Sequence, residues 1–166
     1  MNITLIGMAG VGKSLIGRAL AKRLHYKFFD TDKIIEKNTK LRLQTIIDKL
    51  GEDKFLEIEE HAILKLDLGD RCILSPGGSV VYSKGAMKFL KKHTTVVFLK
   101  ASFKNINNWI SNKSERGIIG LKKEGLRKLF KERLPLYEKY ADAIVRLPQD
   151  YNINCVVDSI INKLKI

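Results

Sequence analysis

The run "GMAGVGKS", Gly7 to Ser14, follows directly on the apolar "NITLI" and leads into "LIGRALAKRL". It fits G-x-x-x-x-G-K-[ST] and lies between a stretch of strand character and one of helical periodicity, the setting in which that pattern has a physical use. Glycines let the backbone curl so that its N–H groups point inward at phosphate oxygens, and a helix N-terminus adds a favourable dipole. Lys13 is placed to reach the β- and γ-phosphates of a nucleotide, and Ser14 to offer its hydroxyl to Mg²⁺. A tight strand-to-helix turn alone accounts for Gly7 and Gly12. It does not account for the Lys13–Ser14 pair.

The rest of the chain alternates short apolar runs with longer helical ones. "ITLIG" reads as a strand, and "KSLIGRALAKRL" puts Leu15, Ile16, Ala19, Leu20 and Leu24 on one helical stripe. "KFFDTD" is a second strand ending in acids, "KIIEKN" a helix, and "LQTIIDKLGEDKFLEIEEHAILKLD" helical with a break at Gly51. "RCILSPGG", "TTVVFLK" and "DAIVRL" complete five strands, with "KGAMKFLKKH", "FKNINNWIS" and "INCVVDSIINKLKI" as helices between and after them. "LRKLFKERLPLYEKYA" is helical, with Pro135 expected at a kink or a helix junction. The alternation predicts an α/β fold: a five-stranded parallel sheet flanked by helices on both faces, in one domain over 1–166. Ligands of such sheets sit at the carboxyl ends of the strands.

The net charge of +13 raises nucleic acid as a partner, but the lysines are spread along helical stretches without interleaved stacking aromatics. A lysine-rich solvated surface is the reading adopted, and a positive field also suits a polyanionic small substrate. Cys72 and Cys155 lie far apart without C-x-x-C spacing, and His25, His61 and His93 are scattered singly, so neither a disulfide nor a histidine metal site is expected. No apolar run reaches membrane-span length, and no basic n-region or cleavage site precedes "NITLIG". A cytoplasmic protein acting on a small molecule is expected, as a monomer, with no nucleic-acid or membrane partner.

Three further stretches bear on chemistry. Asp30 and Asp32 in "FFDTD" offer hard oxygens for Mg²⁺ or a base for a hydroxyl; alternatively Asp32 is the N-cap of "KIIEKN". Gly77 and Gly78 in "LSPGGSV" allow close backbone approach to a ligand, or make an ordinary turn. Arg116 in the polar, Gly-punctuated "NKSERGIIGLKKEG" suits a lid over transferring phosphate, about 112–124, or is simply solvated. Arg133 is an anion clamp or a helix-surface charge.

Taken together, "GMAGVGKS", "DTD", "GEDKF..IE", "SPGG", a downstream Arg and "ERLPLYEKYA" occur in an order that resembles the shikimate kinase family of P-loop folds. The last segment matches R-x-x-x-Y-x-x-x-A at Arg133, Tyr137 and Ala141. The resemblance implies transfer of the ATP γ-phosphate to a ring hydroxyl of shikimate, giving shikimate 3-phosphate. It implies that Gly7, Gly10, Gly12, Lys13, Ser14 and Leu15 hold the nucleotide, and that Ser14 and Asp30 serve Mg²⁺. Asp32 then holds and deprotonates the acceptor hydroxyl, Gly77 and Gly78 line the acceptor pocket, Arg116 faces the γ-phosphate, and Arg133 pairs with the acceptor carboxylate. The segment about 32–67 becomes the acceptor-binding part.

The departures fall on the acceptor side. The family's F-R-x-x-E is "FLEIE" here, so Leu56 replaces a carboxylate-binding Arg, whose bidentate geometry an apolar side chain cannot supply. Its G-G-G is Gly77-Gly78-Ser79 after Pro76, and its R-P-L is Arg116-Gly117-Ile118. Trp109 falls near an adenine-stacking Arg and either stacks or packs in the core. Either another cation compensates for Leu56, Lys54 being nearest in sequence, or the acceptor is another small hydroxylated metabolite. A catalytically silent nucleotide-binding protein is a further alternative.

Overall fold

Strands β1 (Ile3–Ile6) and β3 (Cys72–Ser75) are buried at every position, the mark of strands covered on both faces. They form the centre of a five-stranded sheet with β2 (Lys27–Asp30), β4 (Thr95–Lys100) and β5 (Ala143–Arg146), in the order β2-β3-β1-β4-β5. Every pairing is parallel. This computed structural model describes residues 1–111 and 118–166, without the side chains of 111 and 121–124. The predicted α/β architecture is the one observed.

The position of β3 matters most for function. It is inserted between β1 and β2, pairing Ile3 with Ile73 on one side and Asp30 with Ser75 on the other. The segments leaving the carboxyl ends of these three strands therefore emerge side by side. They are the glycine loop, the Asp30–Asp32 turn and Pro76–Gly78.

Helix α1 (Lys13–Leu24) packs on β3 and on α8 (Ile153–Leu164). Ile16, Leu20 and Ala21 are buried, but Leu15, expected on the same stripe, is 57 % exposed. It lies just off that stripe, at the cavity described below. Helices α2 (Thr31–Thr39), α3 (Leu43–Leu50) and α4 (Glu52–Leu64) pack on one another around a separate small core of Ile35, Ile46, Phe55 and Ile119, and α3 and α4 meet at Gly51 as expected. A 3-10 turn (Val80–Tyr82) joins β3 to α5 (Lys84–His93), and α6 (Phe103–Ser111) follows β4.

Helix α7 (Leu121–Tyr140) differs from expectation in two ways. The end of the stretch expected as a lid, about 112–124, is helical from Leu121, and the helix runs on through Pro135. The non-helical residue is Gly125 (φ 73°, ψ 156°), because glycine adopts positive φ without a Cβ penalty, whereas proline costs a helix one backbone bond.

Candidate active site

A cavity of about 1120 Å³ opens at the carboxyl ends of β1, β2 and β3. Gly12, Lys13, Ser14, Leu15, Asp30, Asp32, Gly77, Gly78 and Arg133, singled out from distant parts of the sequence, all border it. Gly10 borders it as well. Arg116 and Gly117 lie outside the described residues.

The glycine loop is held from two directions. Lys13 Nζ donates to the carbonyls of Gly7 (2.9 Å) and Met8 (3.1 Å), curling the loop over its own helix N-terminus. From the far side Tyr151 Oη donates to the Val11 carbonyl at 3.0 Å. Gly12 caps α1 at φ 85°, and a Cβ there would lie 2.3 Å from Tyr151 Oη, so conformation and space both demand glycine. Trp109 is half-buried, edge-on to Tyr151 at 5.5 Å between centroids and packed against the main core, while its neighbour Ile110 borders the cavity. Nothing local in the sequence marks Tyr151, a lone tyrosine before the last helix.

The two aspartates divide their tasks. Asp30 ends β2 and caps α2, its Oδ1 accepting from the Lys33 N–H at 3.3 Å. The cap is thus Asp30, and not Asp32 as the alternative reading had it, because the strand ends at Asp30 and the helix begins at once at Thr31. Asp30 Oδ2 also stands 3.9 Å from Arg18 Nη2. Asp32 falls in the first turn of α2 and borders the cavity.

After β3 the chain passes over a buried carboxyl. Glu59, on α4, is fully buried, and its Oε2 accepts from Ser79 Oγ at 2.8 Å. A Cβ on Gly77 would lie 2.3 Å from Glu59 Oε1 and 3.2 Å from Asp32 Oδ1. Burial pushes the Glu59 carboxyl up to about 7, opposed by the Ser79 bond; Asp32 raises it further, and Arg133 and Lys13 pull it down. Glu59 is the acid at the end of "FLEIE". Its burial was not legible in a run with so many charges.

Arg133 lies on α7 with 1 % exposure. Its Nη2 donates to the Ile119 carbonyl at 2.9 Å, its Nε donates to Tyr82 Oη at 3.2 Å, and its guanidinium stands 5.1 Å from the Tyr82 ring centroid. One turn on, Tyr137 Oη donates to the Gly78 carbonyl at 2.6 Å. Among the described residues no carboxylate pairs with Arg133, so a buried, oriented guanidinium faces the cavity. Lys54 plays no such part. It pairs with Glu57 at 2.5 Å on the outer face of α4, both side chains more than half exposed. Leu56 packs beside the small core of Phe55 and Ile119.

A phosphate-binding loop, a carboxylate on a helix N-terminus and a buried arginine around one cavity of a parallel sheet define a P-loop phosphotransferase. The shikimate kinase family model matches residues 9–165. The chain is 36 % identical over 140 residues to a shikimate kinase of Thermodesulfovibrio yellowstonii, covering 83 % of this chain and 81 % of that one. It is 34 % identical to that of Chromobacterium violaceum over 98 % of this chain and 89 % of the relative. Among solved structures, a shikimate kinase from Acinetobacter baumannii in complex with shikimate superposes with a TM-score of 0.86 at 28 % identity, covering 99 % of this chain and 93 % of that one. The chain belongs to the shikimate kinase family.

Proposed function

We propose that this protein transfers the γ-phosphate of ATP to a hydroxyl of shikimate, giving shikimate 3-phosphate and ADP. The observation that carries this reading is that the phosphate loop, Asp32 and the buried Arg133 border one cavity. The acceptor's carboxylate pairs with Arg133, which presents remaining N–H donors from a rigid, fully buried position. Backbone at Gly77 and Gly78 lies against the ring. Asp32 holds the acceptor hydroxyl and takes its proton as the oxygen–phosphorus bond forms and the bond to the ADP oxygen breaks. Lys13, whose ammonium now bonds loop carbonyls, turns to the β- and γ-phosphate oxygens, and Arg116 adds a second positive charge for the γ-phosphate. Nucleotide contacts come from Gly7, Gly10, Gly12, Ser14 and Leu15, with Trp109 beside the base.

Ser14 and Asp30 suit Mg²⁺. Both border the cavity and offer hard oxygens, one a hydroxyl and one a carboxylate, and no group of three or more His, Cys, Asp or Glu side chains suited to a metal is found among the described residues. That sparse donor set fits an ion whose shell is mostly phosphate and water. The ion supplies charge neutralisation at the phosphates; orientation of the acceptor and removal of its proton belong to Arg133 and Asp32.

Leu56 favours a second reading, in which the acceptor is another small hydroxylated metabolite. A coupled ADP-release assay with ATP, Mg²⁺ and shikimate, run beside other hydroxy acids and polyols, separates the two. Turnover with shikimate is expected; turnover confined to a polyol without a carboxylate overturns the assignment. The reading includes a monomer working in the cytoplasm with no nucleic-acid or membrane partner. No helix among the described residues is long and apolar enough to cross a membrane.

A further inference from the structure

Ser79 bonds a buried carboxyl, Glu59, and Leu56 lies one turn before that carboxyl on the same helix. Glu59 sits on α4 with no solvent exposure, and a buried carboxyl must be hydrogen-bonded, paired or neutral. Position 56 is three residues earlier on the same helix, the spacing at which side chains are neighbours, so a guanidinium there would reach Glu59. Leu56 brings no donor. Among the described residues the one group that donates to Glu59 is the Ser79 hydroxyl, at 2.8 Å, itself 6 % exposed. A glycine at position 79 would leave that carboxyl without any hydrogen bond. Glu59 Oε1 has no partner and lies under Gly77, where only the absence of a Cβ leaves it room.

We propose that Ser79 and Glu59 form a buried positioning pair for the acceptor pocket, in which the Ser79 hydroxyl supplies Glu59 with the hydrogen bond that Leu56 cannot give. Gly77, Gly78 and Ser79 line the pocket, and Glu59 lies directly behind them. The pair fixes the height of the Gly77–Gly78 backbone relative to Asp32, which crowds the same missing Cβ. Two further bonds act on this loop, from Tyr137 to the Gly78 carbonyl and from Ser83 Oγ to Glu60, so the Ser79 bond is the one that ties the pocket-lining turn to α4 from below. Asp32 on α2, Arg133 and Tyr137 on α7, and Lys13 on α1 are the charged and titratable groups around Glu59. With its carboxyl neutral, Glu59 adds no negative charge behind a pocket meant for an anion; once ionised it repels both Asp32 and the acceptor.

The inference rests on the shikimate reading for its substrate, and wild-type turnover with shikimate tests that reading separately. Wild type, Ser79→Ala, Ser79→Thr, Leu56→Arg/Ser79→Ala and Glu59→Gln are compared for KM of shikimate, KM of ATP and kcat from pH 6 to 9, with thermal melts to establish folding. Ser79→Ala is expected to raise the shikimate KM about tenfold, the usual scale for a lost bond to a buried acid, with the ATP KM unchanged. Ser79→Thr, which returns the hydroxyl, recovers most of that loss, and so does adding Leu56→Arg to Ser79→Ala. In wild type kcat/KM for shikimate falls as pH rises through about 7. The inflection moves upward in Ser79→Ala, because the lost bond favoured the charged form, and disappears in Glu59→Gln. An unchanged shikimate KM in folded Ser79→Ala, failure of Leu56→Arg to restore it, or an inflection that survives in Glu59→Gln overturns the proposal. Should Ser79→Ala fail to fold, the Glu59→Gln pH profile decides alone.

Discussion

The Tyr137 hydroxyl and the Gly78 carbonyl are joined at 2.6 Å, tying the long helix α7 to the turn that follows β3. The phenol is fully buried and stacked on Phe98 at 5.1 Å, and burial drives its pKa far above the ordinary value, so it acts as a donor at any working pH. Through this bond a residue that lines the cavity is referenced to the helix that carries Arg133.

Tyr137→Phe keeps the ring and its packing but leaves a part-buried carbonyl without its donor. The net loss of one such hydrogen bond is about 0.5–1.5 kcal/mol. Urea denaturation is expected to show a loss of that size. The shikimate KM should rise and the ATP KM should hold, because the Gly78 turn faces the acceptor. Loss of stability with both constants unchanged would show that the bond serves folding only.

Asp32 lies in the first turn of α2 and borders the cavity, and the proposed function makes it the base for the acceptor hydroxyl. Asp32→Asn preserves shape and hydrogen-bonding reach while removing basicity. A loss in kcat of about 10²-fold or more is expected, the range general base catalysis supplies. Calorimetric ATP affinity should stay within twofold, roughly the scatter of such measurements, since the change lies outside the phosphate loop. A variant retaining near-normal kcat would remove Asp32 from the proton's path.

What could be read in the sequence follows how local each signal is. The glycine loop announces itself because its residues are contiguous and its geometry is internal. Asp30 and Asp32 show the limit: spacing two leaves open which one caps the helix, and only the point where β2 stops pairing with β3 decides it. Leu15 shows a second limit, since a stripe predicts burial but the first turn of α1 faces a cavity rather than the core. Pro135 is expected at a kink or a helix junction, while the non-helical dihedrals fall at Gly125, free to take positive φ. Tyr151 and Ser79 were invisible as contributors, because each acts on a residue far away in the chain, Val11 and Glu59.

Gly12 meets Tyr151 so closely that the loop tolerates no side chain there. Gly12→Ala faces a left-handed backbone cost of about 1–2 kcal/mol in addition to the clash. ATP affinity measured by calorimetry is expected to fall at least about tenfold, equivalent to 1.4 kcal/mol. Tyr151→Phe in the same background removes the clashing oxygen and should recover part of the loss, leaving the backbone cost. If the double variant binds ATP no better than Gly12→Ala, strain alone governs the position.

Glu59 gives the protein an unusual dependence of stability on pH. Its carboxyl loses its proton near the ordinary 4.5 in the unfolded chain, but only near 7 in the folded one. Between these values the native state holds a proton that the unfolded chain has released, so raising pH favours unfolding. The contribution of this one group is full below pH 4.5, declines steadily to about pH 7, and then stays lost. At 1.4 kcal/mol per unit the loss is on the order of 3 kcal/mol, a large share of a typical domain's stability. Glu59→Gln has no such proton to lose. Its urea midpoint is expected to vary less from pH 5 to 8 than that of wild type, and to exceed wild type at pH 8. The other carboxylates are common to both proteins and cancel in the difference. Parallel midpoints across that range would mean that Glu59 titrates normally in the fold, and that the Ser79 bond and Arg133 together balance its burial.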